Sequence, residues 1–480
     1  MKNLVIAGAI AAAVAAAVVP TAVAAQAAVA RPAATAEELR LLREQIQALS
    51  ERLQKLEQAN AELAASNSQL QQQAAKVEAV ETRVEELQVE QDATLDQLAK
   101  TRANAPEWAG RFALRGDIRY RHEWIDSGAD RAVAGTPAAT FPVVNSLDRS
   151  RDRVRFRFGG TLRVNDSVTV GMQLATGGED PRSSNQTLTD QSSRKSIGLD
   201  QAFVAWAPTA NWLVRLGKMP QPWVRPGSSL FFDSDVNPEG VAVNYTRGYF
   251  FGGASYVLLQ ERGPTQVVAG QGQVDVSDPA MGHLQAGLRY PFTATSSVTL
   301  GASYYDHFAV QGRRPFFGGN ASGNTTVSVA FPAGSATTVA VAALDYDVVQ
   351  MFAQYDRVVF ETLPFMFYVD YAKNGDASLD TAWSTGFTLG RASDPGKWEL
   401  GALYQKIEKD ALFGQWIDSD FGNGSTDVQG WLLRAGWAPR RNVTLNATYY
   451  LNDLNVDVFS PAAPRERRYE RLQLDANFRF

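Results

Sequence analysis

Few residues of this chain have the types and spacing that catalysis requires. It contains three histidines, His122, His283 and His307, and no cysteine. Glu123 follows His122, but a His-Glu-x-x-His zinc motif needs a second histidine where Asp126 stands. The chain also lacks the Gly-x-Ser-x-Gly elbow of serine hydrolases. His122 is therefore the one candidate for a catalytic base, and the sequence predicts no enzyme activity, no metal centre and no cofactor.

Arginines recur at alternate positions in two segments, residues 111–123 and 151–163, and return near the C-terminus. Guanidinium groups at this spacing attract anions and repel one another, so they need water, counter-ions or nearby acids. Asp117, Glu123 and Asp475 share their parity. We predict that the arginines form one basic wall, the arginine wall, of Arg115, Arg119, Arg121, Arg153, Arg155, Arg157, Arg163 and Arg471.

An acidic segment, Asp233-Ser-Asp235-Val-Asn237, has oxygen ligands at positions 1, 3 and 5 of a calcium loop. Pro238 stands where an EF-hand needs glycine, and no glutamate closes the twelfth position. A polar turn is the favoured interpretation, although calcium binding stays open.

Strands must position the arginines, because a period of two places alternate side chains on opposite faces of a strand. Apolar residues fill the other parity beside both arginine segments. The final strand shows the same alternation and ends on a phenylalanine carboxylate. Its apolar face matches the insertion signal of outer-membrane barrels, although an edge strand of a soluble domain is the alternative. The residues of this signal are Leu472, Leu474, Phe478 and Phe480.

Connections between the strands alternate between tight turns and long polar segments, which is typical of a transmembrane β-barrel. Counting strands gives sixteen, although one more hairpin between His307 and Phe360 would give eighteen. The fold class predicted is an all-β membrane protein, a 16-stranded antiparallel transmembrane β-barrel (residues 108–480) preceded by an α-helical coiled coil. Sixteen strands enclose a water-filled lumen.

The N-terminal part contains two further segments. Lys2, an apolar run and Ala22-Val23-Ala24 predict a cleaved signal peptide over residues 1–24. An unbroken heptad from Leu39 to Leu98 predicts a periplasmic coiled coil over residues 37–100. A single helix this long and polar cannot bury its own apolar stripe, so we predict an oligomer.

Five segments resemble the putative porin family of Gram-negative bacteria: LDQAFVAW (199–206), LGKMPQPW (216–223), DSDVNPEGVAVNY (233–245), YVDYAKNG (368–375) and residues 397–430. This resemblance implies a trimeric diffusion channel in the outer membrane, without catalytic residues. It also implies that the third long loop, Met219 to Gly240, folds into the lumen. There Asp233, Asp235 and Glu239 would face the arginine wall across a constriction.

We therefore expect a passive channel for small hydrophilic solutes or ions, with a weak preference for anions. The expected partners are outer-membrane lipid, two further copies of the chain and the barrel-assembly machinery, which would bind the C-terminal strand; no nucleic acid is expected. The alternative is a structural protein that tethers the envelope, with the barrel as anchor and the coiled coil as periplasmic spacer. Deleting Glu37 to Lys100 would separate trimer clamping from tethering.

Overall fold

The computed structural model describes residues 40–41, 43–73, 76, 109–128, 148–188, 191–262, 265–268, 272–275, 277–316, 320–330, 334–457 and 467–480. The chain divides into two compact units, Met1–Asn104 and Ala105–Phe480. The predicted signal peptide lies outside the described residues, and so does the heptad beyond residue 76.

Residues 40–41, 43–73 and 76 of the first unit are helical. The apolar heptad positions within this helix are exposed; Leu49 and Leu56, for example, are 63% and 64% accessible. An exposed stripe of this kind needs a partner helix to bury it. The coiled coil itself stays a prediction. None of the helices described in the structure is long and apolar enough to cross a membrane.

The second unit is a closed antiparallel β-barrel of sixteen strands, as the sequence predicts. The strands are β1 (Phe112–Asp126), β2 (Arg149–Arg163), β3 (Val168–Thr176), β4 (Ile197–Thr209), β5 (Trp212–Lys218), β6 (Glu239–Arg247), β7 (Phe250–Leu258), β8 (Ala280–Thr293), β9 (Ser296–Phe308), β10 (Tyr346–Val359), β11 (Leu363–Asn374), β12 (Thr381–Gly390), β13 (Trp398–Ile407), β14 (Val428–Arg440), β15 (Val443–Leu454) and β16 (Arg467–Arg479). Each strand pairs with its sequence neighbours, and β16 pairs with β1 to close the barrel.

The eighteen-strand alternative is wrong. The segment between β9 and β10 does form a hairpin, Thr326–Ala330 with Thr338–Ala342. Within the described strands, however, this hairpin forms a separate two-stranded sheet and does not enter the barrel. Thr265–Val268 and Gly272–Asp275 form a second separate hairpin in the loop between β7 and β8.

The two faces of each strand differ as the alternation predicts. On β1, the outward-facing Trp124 is 43% exposed, whereas the neighbouring inward-facing Glu123 is fully buried. Turns of two to seven residues join the strands at one end of the barrel, and connections of six to 37 residues join them at the other. Four long connections matter below: L2 (residues 177–196), L3 (219–238), L5 (309–345) and L7 (408–427).

Part of the barrel interior is packed rather than filled with water, which corrects the expectation of an open lumen. L3, L5 and L7 fold inward and bury apolar side chains against β7 to β15. Trp223 of L3 stacks on Trp416 of L7, with 6.3 Å between ring centroids, and also contacts Phe232 and Tyr305. We call the whole buried apolar cluster, which L3, L5 and L7 form with these strands, the loop core. Burial of large aromatic side chains fixes the loops in one arrangement.

Candidate functional site in the barrel interior

Inward-facing arginines of β1, β2 and β16 lie side by side, because β1 pairs with both of the other strands. Arg119 stands directly opposite Arg155, and Arg121 directly opposite Arg153. Like charges opposite each other on a sheet are destabilising. The cluster therefore depends on acids within contact distance.

Acids on the same strands provide part of the negative charge that the clustered arginines require. Asp117 accepts hydrogen bonds from Arg155 Nη2 at 2.7 Å and Arg157 Nε at 2.8 Å. Asp475 accepts two hydrogen bonds from Arg121, from Nε at 2.6 Å and from Nη2 at 2.8 Å. Paired, bidentate contacts of this kind are the stronger class of ion pair.

Glu123 is the acid at the centre of the wall. Its carboxylate forms ion pairs with Arg151 and Arg471 and lies 3.9 Å from Arg153 Nη1. The structure thus brings together six of the eight arginines of the predicted wall. They are Arg119, Arg121, Arg153, Arg155, Arg157 and Arg471. Arg115 and Arg163 share the inward parity but are exposed near the short turns, outside this cluster.

A loop acid that the sequence analysis missed completes the wall. Asp420 of L7 accepts hydrogen bonds from Arg121 Nη1 and Gln473 Nε2 at 2.9 Å, and its other oxygen lies 2.9 Å from Arg471 Nη2. Burial opposes ionisation of Asp420, but the two guanidinium groups outweigh it and hold the pKa of this carboxyl far below its ordinary value.

L3 folds into the barrel and contacts the strands that lie across the lumen from the arginine wall. The backbone N–H groups of Val224 and Gly227 donate to Gln285 of β8 and Gln354 of β10, at 2.8 and 2.7 Å. Ser229 donates to Asp370 of β11 at 2.6 Å. Three strands thus hold the loop across the interior.

Of the three predicted constriction acids, Asp235 is the one that meets the arginine wall. Its Oδ1 lies 3.6 Å from Arg157 Nη1, and its Oδ2 accepts hydrogen bonds from the backbone and hydroxyl of Ser184 in L2, at 3.1 and 2.8 Å. Burial raises the pKa of Asp235, but Arg155, Ser184, Arg119 and Arg157 together hold it below its ordinary value.

Asp233 lies instead at the junction of L3 and L7. It accepts hydrogen bonds from the backbone N–H groups of Asp235 and Ser419, both at 2.8 Å. Burial and the carboxylates of Asp418 and Asp235 raise the pKa of Asp233 well above its ordinary value. Burial and Asp420 likewise raise the pKa of Asp418 to about 6.

Glu239 does not face the arginines. It is the first residue of β6 and has the outward parity of Val241, and its carboxylate pairs with Lys218 Nζ at 2.9 Å. The sequence predicts a loop that extends to Gly240, and this boundary is wrong because β6 already begins at Glu239.

Two cavities border L3. The larger, of about 1140 Å³, extends from the short turns up to L3 and is lined by Arg119, Arg121 and Ser234 among others. The smaller, of about 170 Å³, lies towards L2 and is lined by Ser184 and Asp235 among others. The two cavities have no lining residue in common.

The histidines occupy two different environments. His283 and His307 are buried inside the barrel beside the loop core. His122 lies on the outward face, where its Nδ1 is 2.6 Å from Asp152 Oδ1 and its Nε2 is 3.4 Å from Ser150 Oγ. Tyr120 also donates to Asp152, at 2.7 Å. The described residues contain no cluster of three acids or histidines suited to a metal ion.

The C-terminal strand has the predicted polarity. Its outward face includes Leu472, Leu474, Phe478 and Phe480. The Phe480 ring stacks on Phe158 of β2 at 6.4 Å, and its backbone exchanges two hydrogen bonds with Gly116. The last residue of the chain therefore closes the seam between β16 and β1.

A closed barrel with an apolar outer face, a charged interior and loops folded inward defines a transmembrane β-barrel of the channel-forming class. The chain belongs to the family described as "Putative porin", whose model matches residues 1–338 and 324–480. It is therefore an outer-membrane porin. No curated protein matches the chain.

Several solved structures are similar to this chain. OprB of Pseudomonas putida, in a high-pH structure, has 12% identity and a TM-score of 0.49, covering 78% of this chain and 95% of its own. A multiple mutant of Rh. blastica porin has 12% identity and a TM-score of 0.41, covering 77% of this chain and 100% of its own. A triple mutant of Rhodopseudomonas blastica porin has the same identity and coverage and a TM-score of 0.39.

Proposed function

We propose that this porin is a passive diffusion channel for small hydrophilic solutes or ions, with a weak preference for anions and no enzymatic activity. The observation that supports the preference is the charge of the cluster around the arginine wall. Seven arginines, including Arg151, meet five acids there, an excess of two positive charges. Low-dielectric walls strengthen the field of such an excess within a narrow pore.

We further propose that the protein is a homotrimer, with residues 37–100 as a periplasmic coiled coil that follows a cleaved signal peptide over residues 1–24. The exposed heptad leucines of the described helix support this arrangement, because two further copies of the chain would bury them. The outward apolar face of β16, which ends at Phe480, supports recognition of this strand by the barrel-assembly machinery.

Conductance of purified protein in a planar bilayer under a KCl gradient tests the proposal. We expect current steps in groups of three and a reversal potential on the chloride side. A reversal potential on the potassium side would keep the channel but refute the anion preference. Correctly folded barrels without any conductance would refute the channel and favour the envelope tether.

A further inference from the structure

We propose that the arginines around Asp235 form a binding site for small oxyanions, which the Asp235 carboxylate occupies as an internal substitute for the ligand. An oxyanion of the class of inorganic phosphate would compete with Asp235 for this site as it crosses the constriction. The inference rests on the proposed channel function and adds to it the class of solute and the residue that regulates its passage.

The position of Asp235 supports this role. Asp235 lines the smaller cavity, whereas its neighbour Ser234 and the wall residue Arg119 line the larger one. Arg119 Nη2 donates to Asn185 of L2 at 2.7 Å, next to the Ser184 that donates to Asp235. The contact between L2, L3 and the arginine wall therefore lies beside both cavities, where a permeating solute would meet it.

Asp235 is also held more loosely to the wall than the structural acids are. Its closest contact with an arginine is the 3.6 Å separation from Arg157 Nη1, which is too long for a hydrogen bond. Asp117 and Asp475, by comparison, accept arginine hydrogen bonds of 2.6 to 3.1 Å. Asp235 is therefore the acid that can leave the wall at the lowest cost.

The site offers donors suited to an oxyanion. The Ser184 N–H and hydroxyl both donate to one oxygen of Asp235, and Arg157 faces the other. Arg119 Nε is buried without a hydrogen-bond partner, so the site has at least one donor to spare. Guanidinium groups bind tetrahedral oxyanions through two parallel N–H groups, and a phosphate dianion offers more acceptors than one carboxylate.

An internal competitor weakens the binding of a ligand. The apparent affinity is the intrinsic affinity multiplied by the fraction of time during which the competitor leaves the site vacant. If Asp235 occupies the site for about nine-tenths of the time, removing its charge strengthens apparent phosphate binding about tenfold. Asp235→Asn is the suitable change, because the amide oxygen still accepts from Ser184 while the negative charge is lost. Glu239→Gln is the matched control, because it removes the same charge from the outward face.

The experiment measures block of the chloride current by inorganic phosphate in planar bilayers, for wild type, Asp235→Asn and Glu239→Gln. We expect the half-blocking phosphate concentration to fall about tenfold in Asp235→Asn. Glu239→Gln should match wild type. Heat-modifiable migration on gels verifies that each variant is folded.

Equal phosphate block in all three conducting proteins would overturn this inference and leave the channel function intact. An equal gain in Asp235→Asn and Glu239→Gln would also overturn it, because the effect would then follow overall charge and not the site. A folded wild-type protein that passes no current would overturn the channel function, and this inference with it.

Discussion

Asp420 is the residue through which L7 is fixed to the arginine wall, and its replacement gives a sharp test of this arrangement. Its two carboxylate oxygens contact Arg121, Arg471 and Gln473, each at 2.9 Å. These partners belong to β1 and β16, whereas Asp420 belongs to L7. We predict that Asp420→Asn releases L7 from the wall without unfolding the barrel, because Arg121 keeps Asp475 and Arg471 keeps Glu123.

The size of the effect follows from the bonds that are lost. Asparagine retains one acceptor oxygen but places an amide N–H₂ against the guanidinium group that the second oxygen contacted. A hydrogen bond to a charged group contributes about 1.5–3 kcal/mol, so the loss of one or two amounts to about 3 kcal/mol. Because 1.4 kcal/mol corresponds to a factor of ten, the docked fraction of L7 relative to the undocked fraction falls about 100-fold.

Hydrogen exchange of the amides of residues 414–424 measures this docking, since several of their N–H groups are bonded only when L7 is docked. The control is Asp418→Asn, two residues away. Asp418 accepts from the Asp420 and Phe421 N–H groups, which an amide oxygen can also do. Exchange should accelerate about 100-fold in Asp420→Asn and not in the control. Protection within threefold of wild type in Asp420→Asn, or an equal loss in Asp418→Asn, would refute the reasoning.

Three further predictions concern Asp418, the loop core and His122. Because the pKa of Asp418 is raised to about 6, its docked form takes up a proton as pH falls. Docking of L7 should therefore strengthen about fourfold from pH 7.5 to 5.5, measured as protection corrected for intrinsic exchange, and Asp418→Asn should remove this part of the dependence. Trp416→Ala should destabilise the loop core by about 3–5 kcal/mol and increase current noise; quiet, unchanged channels would contradict this. Ser150 should resist labelling by a fluorophosphonate probe, since we propose no enzyme; labelling that disappears in His122→Ala would show a hydrolase site instead.

The features that depend on local alternation could be predicted from the sequence. A period of two determines which side chains share a face, so it placed Arg121 and Arg155 inside the barrel and Trp124 outside. The same pattern gave sixteen strands, because each strand carries its own signal. The pairing of β1 with β16 followed from closure, which then placed Arg471 beside Glu123.

The features that depend on loop conformation could not be predicted in the same way. Asp420 lies in a segment whose sequence indicates only a polar loop, and its contact with Arg471 arises because L7 folds back into the lumen. The burial of Trp416 has the same origin. Glu239 shows the limit of boundary assignment, because a strand that begins two residues earlier turns a supposed loop acid into an outward-facing residue.

The closing seam of the barrel also constrains the order in which the protein assembles. Glu123 and Arg471 lie 348 positions apart in sequence, and Asp420 contacts one residue from each side of the seam. Bringing residues so distant in sequence together has a chain-entropy cost that slows their pairing. The contact of Asp420 with both sides of the seam is complete only after the last strand has paired with the first. We therefore expect this contact to form late in folding, whereas L7 can already pack in the loop core, which involves neither β1 nor β16.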